Sequence, residues 1–268
     1  MRLKIQHRTT YTYSEPVAYG LQQLRLTPKS RHGQSVLTWQ TQVEGGKIEL
    51  EFDDQHANRV ELMSFSGEGH DVVVSCQGEI ETADTNGVVG KHAGFAPLWY
   101  FERQTPRTRQ GAGIRSLVKG LNTEIDDPIA RFHALSDRVR EAVTYEAGKT
   151  DVTTTAEEAL SIGAGVCQDH AHVFIAAARQ LGLPARYVSG YLLMNDRVEQ
   201  EASHGWAEVH IAPIGWIGFD VSNEICPDER YVRVATGLDY SEAAPIHGLH
   251  FGEADGESLG VDIQVQQQ

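Results

Sequence analysis

Three residue types that together perform nucleophilic catalysis occur in the second half of the sequence: a cysteine, a histidine and an aspartate. Cys167 lies in "GAGVCQDHAH", where Gly163 and Gly165 would let a substrate backbone approach closely, and it begins an expected helix. At a helix start, unpaired backbone N–H groups and the positive end of the helix dipole favour a thiolate. The same N–H groups can hold an oxyanion. The stretch therefore predicts a nucleophilic thiol.

A thiol nucleophile also needs a base and a group that orients the base. The segment "SHGWAEVHIAPIGWIGFDVSN" has the pattern of two strands joined by a turn, with His204 on the first and Asp220 at the end of the second. A three-residue loop at 212–214 makes Asp220 the diagonal neighbour of His204 on the same face. A two-residue loop sends Asp220 to the opposite face. The register of this hairpin is therefore a sharp test of the pairing.

Four further residues are candidates for the same site. The backbone N–H of Gln168 could contribute to an oxyanion hole. Asp169 could cap the helix, bind a nearby arginine or orient groups close to the thiol. Trp206 and Tyr191 are candidates for the wall of the cleft, although packing between sheet and helix accounts for Trp206 equally well.

Cys167 has two other interpretations. A free cysteine is commonly a buried core thiol. A zinc site could use Cys167 with His170, His172 and His210, but a step of about 100° per residue places His172 well over a right angle away from Cys167. The sequence also lacks a CxxC or HExxH pattern. We therefore expect a nucleophile, no metal and no cofactor.

The helical step also predicts which face of this helix is buried. Cys167 shares its side with a core stripe formed by Ala171, Phe174, Ala178 and Leu181. The opposite side is expected to carry polar residues, namely Asp169, His172, Arg179 and Gln180.

Composition narrows the possible partners and the compartment. The formal net charge of −14 repels phosphates, so we expect neither nucleic acid nor an anionic membrane as a partner. The N-terminal residues lack the apolar segment of a signal peptide. Three widely spaced cysteines do not form a disulfide framework, which fits a reducing compartment. We expect a cytoplasmic protein, and the sequence gives no oligomeric state.

The order of elements predicts an α+β protein. Residues 1–85 are expected to form an N-terminal antiparallel β domain, and 86–126 a connecting segment. Residues 127–268 then carry helices followed by a mostly antiparallel sheet. Thr154 and Glu157 have the spacing of a capping box, and the acidic run at 250–258 is expected to be a solvated loop.

The residues around these blocks resemble a known family. "GVCQDHAHVFIAAARQLGLPARYVSGYL", "SHGWAEVHI" and "GWIGFDVSN" are similar to the bacterial transglutaminase-like superfamily of papain-type cysteine enzymes. The opening "YTYSEPVAYGLQQLRLTPKSRHGQSVLTWQTQV" resembles the β-rich domain that accompanies this core. The resemblance implies a papain-like core and a triad of Cys167, His204 and Asp220. It also implies attack on an amide carbonyl of a peptide or protein substrate, through a thioester.

The chain departs from the family pattern at three places. Gly205 stands where alanine is usual after the histidine, Val221-Ser222 where Pro-Thr is usual after the aspartate, and Leu238 where many relatives have arginine. The departures at Gly205 and Val221 permit an alternative, a catalytically idle module whose β domain binds an extended peptide by strand addition. The choice between hydrolysis and acyl transfer, and any dependence on calcium, is not predicted.

Overall fold

The computed structural model describes residues 1–15, 17–66, 71–195, 197–251 and 257–268. Most of the acidic run that was expected to be a solvated loop lies outside the described residues. Six strands form the N-terminal region: β1 (Arg2–Tyr13), β2 (Tyr19–Thr27), β3 (Gln34–Glu44), β4 (Lys47–Asp53), β5 (Arg59–Phe65) and β6 (Asp71–Thr82).

Alternation of buried and exposed side chains explains why these N-terminal residues form strands. Along β1 every second residue is buried, because its even-numbered side chains face solvent and its odd-numbered ones face the interior. One solvated face and one packed face is the usual state of an antiparallel sheet. The predicted N-terminal antiparallel β region is confirmed.

The following residues contain the helices and a second group of strands. A short 3-10 helix spans Leu98–Glu102. The helices are α1 (Ala112–Leu117), α2 (Leu121–Glu124), α3 (Pro128–Ala142), α4 (Ala156–Ile162), α5 (Cys167–Gln180) and α6 (Tyr240–Ala243). The strands are β7 (Val88–Gly90), β8 (Thr144–Tyr145), β9 (Ala164–Gly165), β10 (Ala185–Leu192), β11 (Glu199–Gln200), β12 (His204–Ile211), β13 (Gly215–Phe219), β14 (Tyr231–Gly237), β15 (Ile246–Phe251) and β16 (Glu257–Gln267).

The core sheet has the order β14-β10-β12-β13-β7 and is antiparallel throughout. Helix α5 packs on this sheet, and α1, α3 and α4 pack against α5, which confirms the α+β class. Strand β7 comes from the segment that was expected to be a connection. Within the described residues, no helix has the length and apolar character that crossing a bilayer requires.

The last strands return to the N-terminal region. Strand β16 pairs with β1 in a sheet of order β11-β16-β1-β6-β3, and β15 pairs with β2 in a sheet of order β15-β2-β5-β4. The segment predicted as a core, 127–268, therefore contributes β11, β15 and β16 to the two N-terminal sheets, while β8 and β9 form a separate two-stranded parallel sheet. The N-terminal partners of β15 and β16 lie far away in sequence, so local patterns give no sign of this pairing.

Helix α5 is buried on every side, which corrects the predicted polar face. Its residues from Asp169 to Arg179 are all buried, because the core sheet covers one side and α1, α3 and α4 cover the rest. The Arg179 guanidinium is satisfied inside the protein. It donates to three carbonyl oxygens and one hydroxyl, those of Phe101, Ala185, Leu238 and Thr108.

The capping box of α4 lies one residue later than predicted. Thr155 is the N-cap. Its hydroxyl oxygen accepts from the backbone N–H of Glu158, and its backbone N–H donates to the Glu158 carboxylate. Glu157 instead accepts hydrogen bonds from three backbone N–H groups at the start of α1, at 2.7 to 3.0 Å. The carboxylate thereby fixes α1 against α4, the helix that leads to the cysteine.

Candidate active site

The hairpin that carries His204 and Asp220 has the predicted register. Ile211 pairs with Gly215, so the loop contains the three residues 212–214. Beyond Phe219 the chain leaves the ladder, and Asp220 forms an isolated bridge with Ile225. Asp220 is therefore turned toward the start of β12, where His204 lies.

His204 and Asp220 form a buried pair. His204 Nε2 donates to Asp220 Oδ2 at 2.6 Å, and the same oxygen accepts from the Tyr231 hydroxyl and the Asn223 side-chain amide, both at 2.7 Å. The other carboxylate oxygen accepts from the backbone N–H groups of Ser222 and Asn223, at 3.1 and 3.3 Å. Five donors thus hold one carboxylate that is 1% exposed. Such a carboxylate fixes both the orientation and the tautomer of the imidazole.

The charges of the site stabilise a protonated imidazole. Burial lowers the pKa of His204, but the charges of Asp220 and of a Cys167 thiolate outweigh that effect and raise it to about 10. Burial raises the pKa of Asp220, but His204, Asn223 and Tyr231 more than compensate, so that it lies below its ordinary value. At neutral pH the geometry therefore favours imidazolium and carboxylate, with the imidazolium next to the cysteine.

Cys167 is the first residue of α5 and is partly exposed. The first hydrogen bond of the helix runs from the His170 N–H to the Val166 carbonyl at 3.1 Å. The N–H groups of Cys167 and Gln168 precede that bond and point out of the helix end. They form the kind of donor pair that can bind an oxyanion, and they lie at the nucleophile itself.

Asp169 caps this helix, one of the roles considered for it. Its Oδ2 accepts from the Val166 N–H at 2.8 Å and from the Thr150 hydroxyl at 2.6 Å. Gly165 is needed for this contact, because a Cβ there would lie 2.6 Å from the same oxygen. Gly163 ends α4 with a φ of +73°. Both glycines therefore shape the backbone before Cys167, and this explains them without any substrate contact.

Trp206 supports the imidazole. The indole is 3% exposed and stacks on His204, with ring centroids 6.1 Å apart and planes 26° apart. The Tyr231 ring packs edge-on against the indole, at 5.4 Å between centroids. Trp206 therefore lies behind the histidine, where it restricts the motion of the imidazole.

Tyr187 explains the unusual glycine after the histidine. A Cβ on Gly205 would lie 2.0 Å from the Tyr187 hydroxyl oxygen, so an alanine cannot fit while this oxygen is there. Burial raises the pKa of Tyr187 well above its ordinary value, and the charge of Cys167 raises it further. The absence of a side chain at position 205 thus makes room for a hydroxyl close to the cysteine.

Two of the weaker site predictions have different outcomes. Tyr191 is 2% exposed and its hydroxyl is hydrogen-bonded to His7 Nδ1 at 2.8 Å, in the contact between core and N-terminal sheet. The prediction that Tyr191 lines the cleft is wrong, because its side chain packs among the buried residues of that contact. Gln168 lies at the helix start, and its side chain reaches the Val152 carbonyl at 3.4 Å.

Two of the three histidines of the candidate zinc site, His170 and His172, are hydrogen-bonded to other groups. His170 Nε2 donates to the Val143 carbonyl and Nδ1 accepts from the Ser222 hydroxyl, both at 2.8 Å. His172 Nε2 accepts from the Tyr240 N–H at 3.1 Å. Over the part of the chain that the structure describes, there is no group of three or more metal-ligating side chains.

Sequence reasoning missed Tyr231, Asn223 and Tyr187. The position of Asn223 three residues after Asp220 was a usable signal, because a short polar side chain there often closes a turn. Tyr231 and Tyr187 lie on β14 and β10, and only the order of strands in the core sheet brings them to the site. No spacing along the sequence indicates that proximity.

Known families match both parts of the chain. Residues 115–221 match the transglutaminase-like superfamily and residues 3–81 match the bacterial transglutaminase-like N-terminal region. The chain is 26% identical over 278 residues to an uncharacterized protein of Mycobacterium leprae (strain TN), with 99% of this chain and 98% of that protein covered. It is 26% identical over 291 residues to an uncharacterized protein of Mycobacterium tuberculosis (strain ATCC 25618 / H37Rv), with 98% and 92% covered.

One solved structure has the same fold along the whole chain. It is a Cytophaga hutchinsonii protein, provisionally described as a cysteine protease, with a TM-score of 0.76 and 21% sequence identity. The match covers 99% of this chain and 98% of that one. The chain therefore combines a core of the transglutaminase-like superfamily with a bacterial transglutaminase-like N-terminal region.

Proposed function

We propose that this protein is a cysteine-dependent amide-bond enzyme that acts on a peptide or protein through a thioester acyl-enzyme. The observation that carries the proposal is the buried His204–Asp220 pair, 2.6 Å between Nε2 and Oδ2, beside a cysteine at the start of α5. The departures from the family pattern leave all three side chains of this triad in place. Peptidase, amidase and acyltransferase chemistry all begin with this arrangement.

The acylation step follows from the atoms of the site. Asp220 engages His204 Nε2, which leaves Nδ1 to take the proton of Cys167. The thiolate attacks the amide carbonyl, and the N–H groups of Cys167 and Gln168 bind the resulting oxyanion. The tetrahedral intermediate collapses, the C–N bond breaks, and the His204 proton passes to the leaving amine. The substrate carbonyl is then bound to sulfur as a thioester.

The second step decides the product class. Water or an amine gives a proton to His204 and attacks the thioester, and the C–S bond breaks to restore the cysteine. Water yields a carboxylic acid, whereas an amine yields a new amide. The triad performs both steps in the same way, so the acyl acceptor is set by what reaches the thioester.

The first test is the rate at which each cysteine is alkylated as a function of pH, followed by peptide mass mapping. An activated Cys167 is expected to be alkylated rapidly at pH values well below about 8.5, the pKa of a free thiol. His204→Ala is expected to remove this advantage. His210→Ala is the matched control, because it removes a histidine from the same strand away from the pair.

The other cysteines are internal references. Burial raises the pKa of Cys76 to about 12 and also raises the pKa of Cys226, so both should react slowly. A Cys167 no faster than these two would remove the basis of the enzyme proposal and favour the idle peptide-binding module. A fast Cys167 justifies a screen of peptide amides with and without amine donors, read out as acid or amide product.

A further inference from the structure

A cavity of about 570 Å³ lies on the other face of the core sheet from α5. Its floor is formed by Arg186 on β10, Trp216 on β13 and Arg233 on β14. The neighbours of these residues along each strand, such as Ala185 and Ile217, face α5 instead. Loops of the N-terminal region and the segment around β7 form the walls. The cavity is therefore separate from the face on which the cysteine helix packs.

Positive charge is concentrated in this cavity, although the protein as a whole carries −14. Its lining includes five cationic residues and no carboxylate among the described residues: Lys29, Arg31, Lys91, Arg186 and Arg233. Two carboxylates lie next to it. Glu208 pairs with Arg186 and Arg233 at 2.6 and 2.7 Å, and Asp53 pairs with Lys29 at 2.8 Å. The lining therefore keeps an excess of positive charge.

Two cations of the lining, Arg31 and Lys91, form no ion pair with a carboxylate of the described residues, whereas Lys29, Arg186 and Arg233 do. The Nε of Arg31 is in addition a buried donor that lacks a hydrogen bond. Burial lowers the pKa of Arg31; the charge of Glu208 opposes this, and the neighbouring Arg186 adds to it. A buried donor without a hydrogen bond costs free energy, which an anion bound at the Arg31 Nε would recover.

The ion pairs of Glu208 with Arg186 and Arg233 do not explain why Arg31 is placed at this cavity. Glu208 is fully buried and is already bound by both Arg186 and Arg233, the latter through two nitrogens. Arg186 binds Glu208 through its Nε alone. The central carbon of the same guanidinium lies 3.8 Å from the centroid of the Trp216 ring. The Arg186–Glu208–Arg233 network is thus complete without Arg31. The guanidinium groups of Arg31 and Arg186 therefore both keep N–H donors that are available to a ligand in the cavity.

We propose that this cavity binds a small phosphate ester, with its phosphoryl group held by Arg31, Arg186 and Lys91. Guanidinium groups bind phosphoryl oxygens through paired N–H donors, and an excess of positive charge suits a dianion. The cavity is larger than a phosphate ion, and apolar side chains of Val88 and Val89 line it beside the cations. These side chains would contact the organic part of the ester. The inference is independent of the proposed enzyme activity.

The test is calorimetric titration of the full-length protein with inorganic phosphate and with phenyl phosphate, at constant ionic strength. The wild type is expected to bind both at one site, with phenyl phosphate the tighter ligand. Arg31→Gln should weaken binding by about tenfold or more, the loss that one charge-assisted hydrogen-bonded contact corresponds to. Arg115→Gln, at an exposed position of α1, is the matched control and should bind like the wild type.

Three results would overturn the proposal. They are the absence of saturable binding to the wild type, equal affinities for the Arg31→Gln and Arg115→Gln variants, and weaker binding of phenyl phosphate than of inorganic phosphate. Circular dichroism of each variant checks its fold. If Arg31→Gln does not fold, Lys91→Gln takes its place, since Lys91 lies on a loop, and it should weaken binding by about threefold or more.

Discussion

Strand β12 carries two buried ionic clusters on one face, four residues apart, and they differ in what their charged groups can reach. At its start His204 is bound to Asp220, and further along Glu208 is bound to two arginines. Both oxygens of the Glu208 carboxylate are bound by arginines of the protein. In the His204 cluster only one ring nitrogen is bound by Asp220, and the other is directed toward Cys167. Burial and pairing are thus common to both clusters, and only an unused atom facing a nucleophile distinguishes a candidate catalytic group from a structural one.

The largest effect is expected from Asp220→Asn. Loss of the carboxylate releases the imidazole from its tautomer and should reduce turnover by about 10³- to 10⁴-fold. Alkylation of Cys167 at neutral pH should fall only to the rate of an ordinary thiol, which is a few per cent thiolate at that pH. The pKa of His204 should fall below about 10, because burial then acts with less opposition. NMR titration of the imidazole checks this. Asp137→Asn on the exposed face of α3 is the control, and equal activity of the two variants would contradict the comparison.

Glu208→Gln is expected to act on stability instead. It leaves two buried guanidinium groups without a charged partner, which should lower the free energy of unfolding by about 3–5 kcal/mol. Urea unfolding measures the change. Asp228→Asn breaks the more exposed pair with Arg230 and should change the free energy by less than about 1 kcal/mol. The rate of Cys167 alkylation per folded molecule of Glu208→Gln should equal that of the wild type. A slower rate would show that the Glu208 and His204 clusters are coupled.

Gly205→Ala tests the space beside the cysteine. The added methyl group meets the Tyr187 hydroxyl, and overpacking of this kind should cost about 1–3 kcal/mol. The double variant with Tyr187→Phe should regain part of the loss, since the closest atom is then removed. Gly260→Ala is the control, because a Cβ there meets no atom within 4 Å. Thermal unfolding compares them, and a double variant no more stable than Gly205→Ala would exclude this clash as the cause.

Tyr231→Phe should have the smallest effect. It removes one of the donors to Asp220 and should lower stability by about 1 kcal/mol. The lowered pKa of Asp220 stabilises the folded state at pH values above its unfolded pKa, 3.8, and that contribution disappears as pH falls through the folded pKa. With one donor fewer the folded pKa rises, so acid unfolding should begin at a higher pH. An unchanged acid limb would argue against this hydrogen bond.

The hairpin shows how far the sequence could lead. Alternation on β12 and the loop at 212–214 predicted that Asp220 meets His204, because the side-chain period of a strand is two and a register error would reverse the face. The polar face that the helical step of about 100° per residue predicted for α5 was wrong. A helical wheel assumes one solvent-facing side, and α5 has none because sheet and helices enclose it and Arg179 is satisfied internally. Tyr231 depends on strand order, which local patterns do not encode.

The pairing of β1 with β16 has a consequence for how the chain is made. Strand β1 leaves the ribosome before the core, and its partner β16 leaves after the core, so one edge of β1 stays uncovered during most of synthesis. An unpaired strand edge is a template for association with other chains. Closing so distant a pairing is also intrinsically slow. Nascent chains of this protein are therefore expected to depend on chaperone protection until β16 is released.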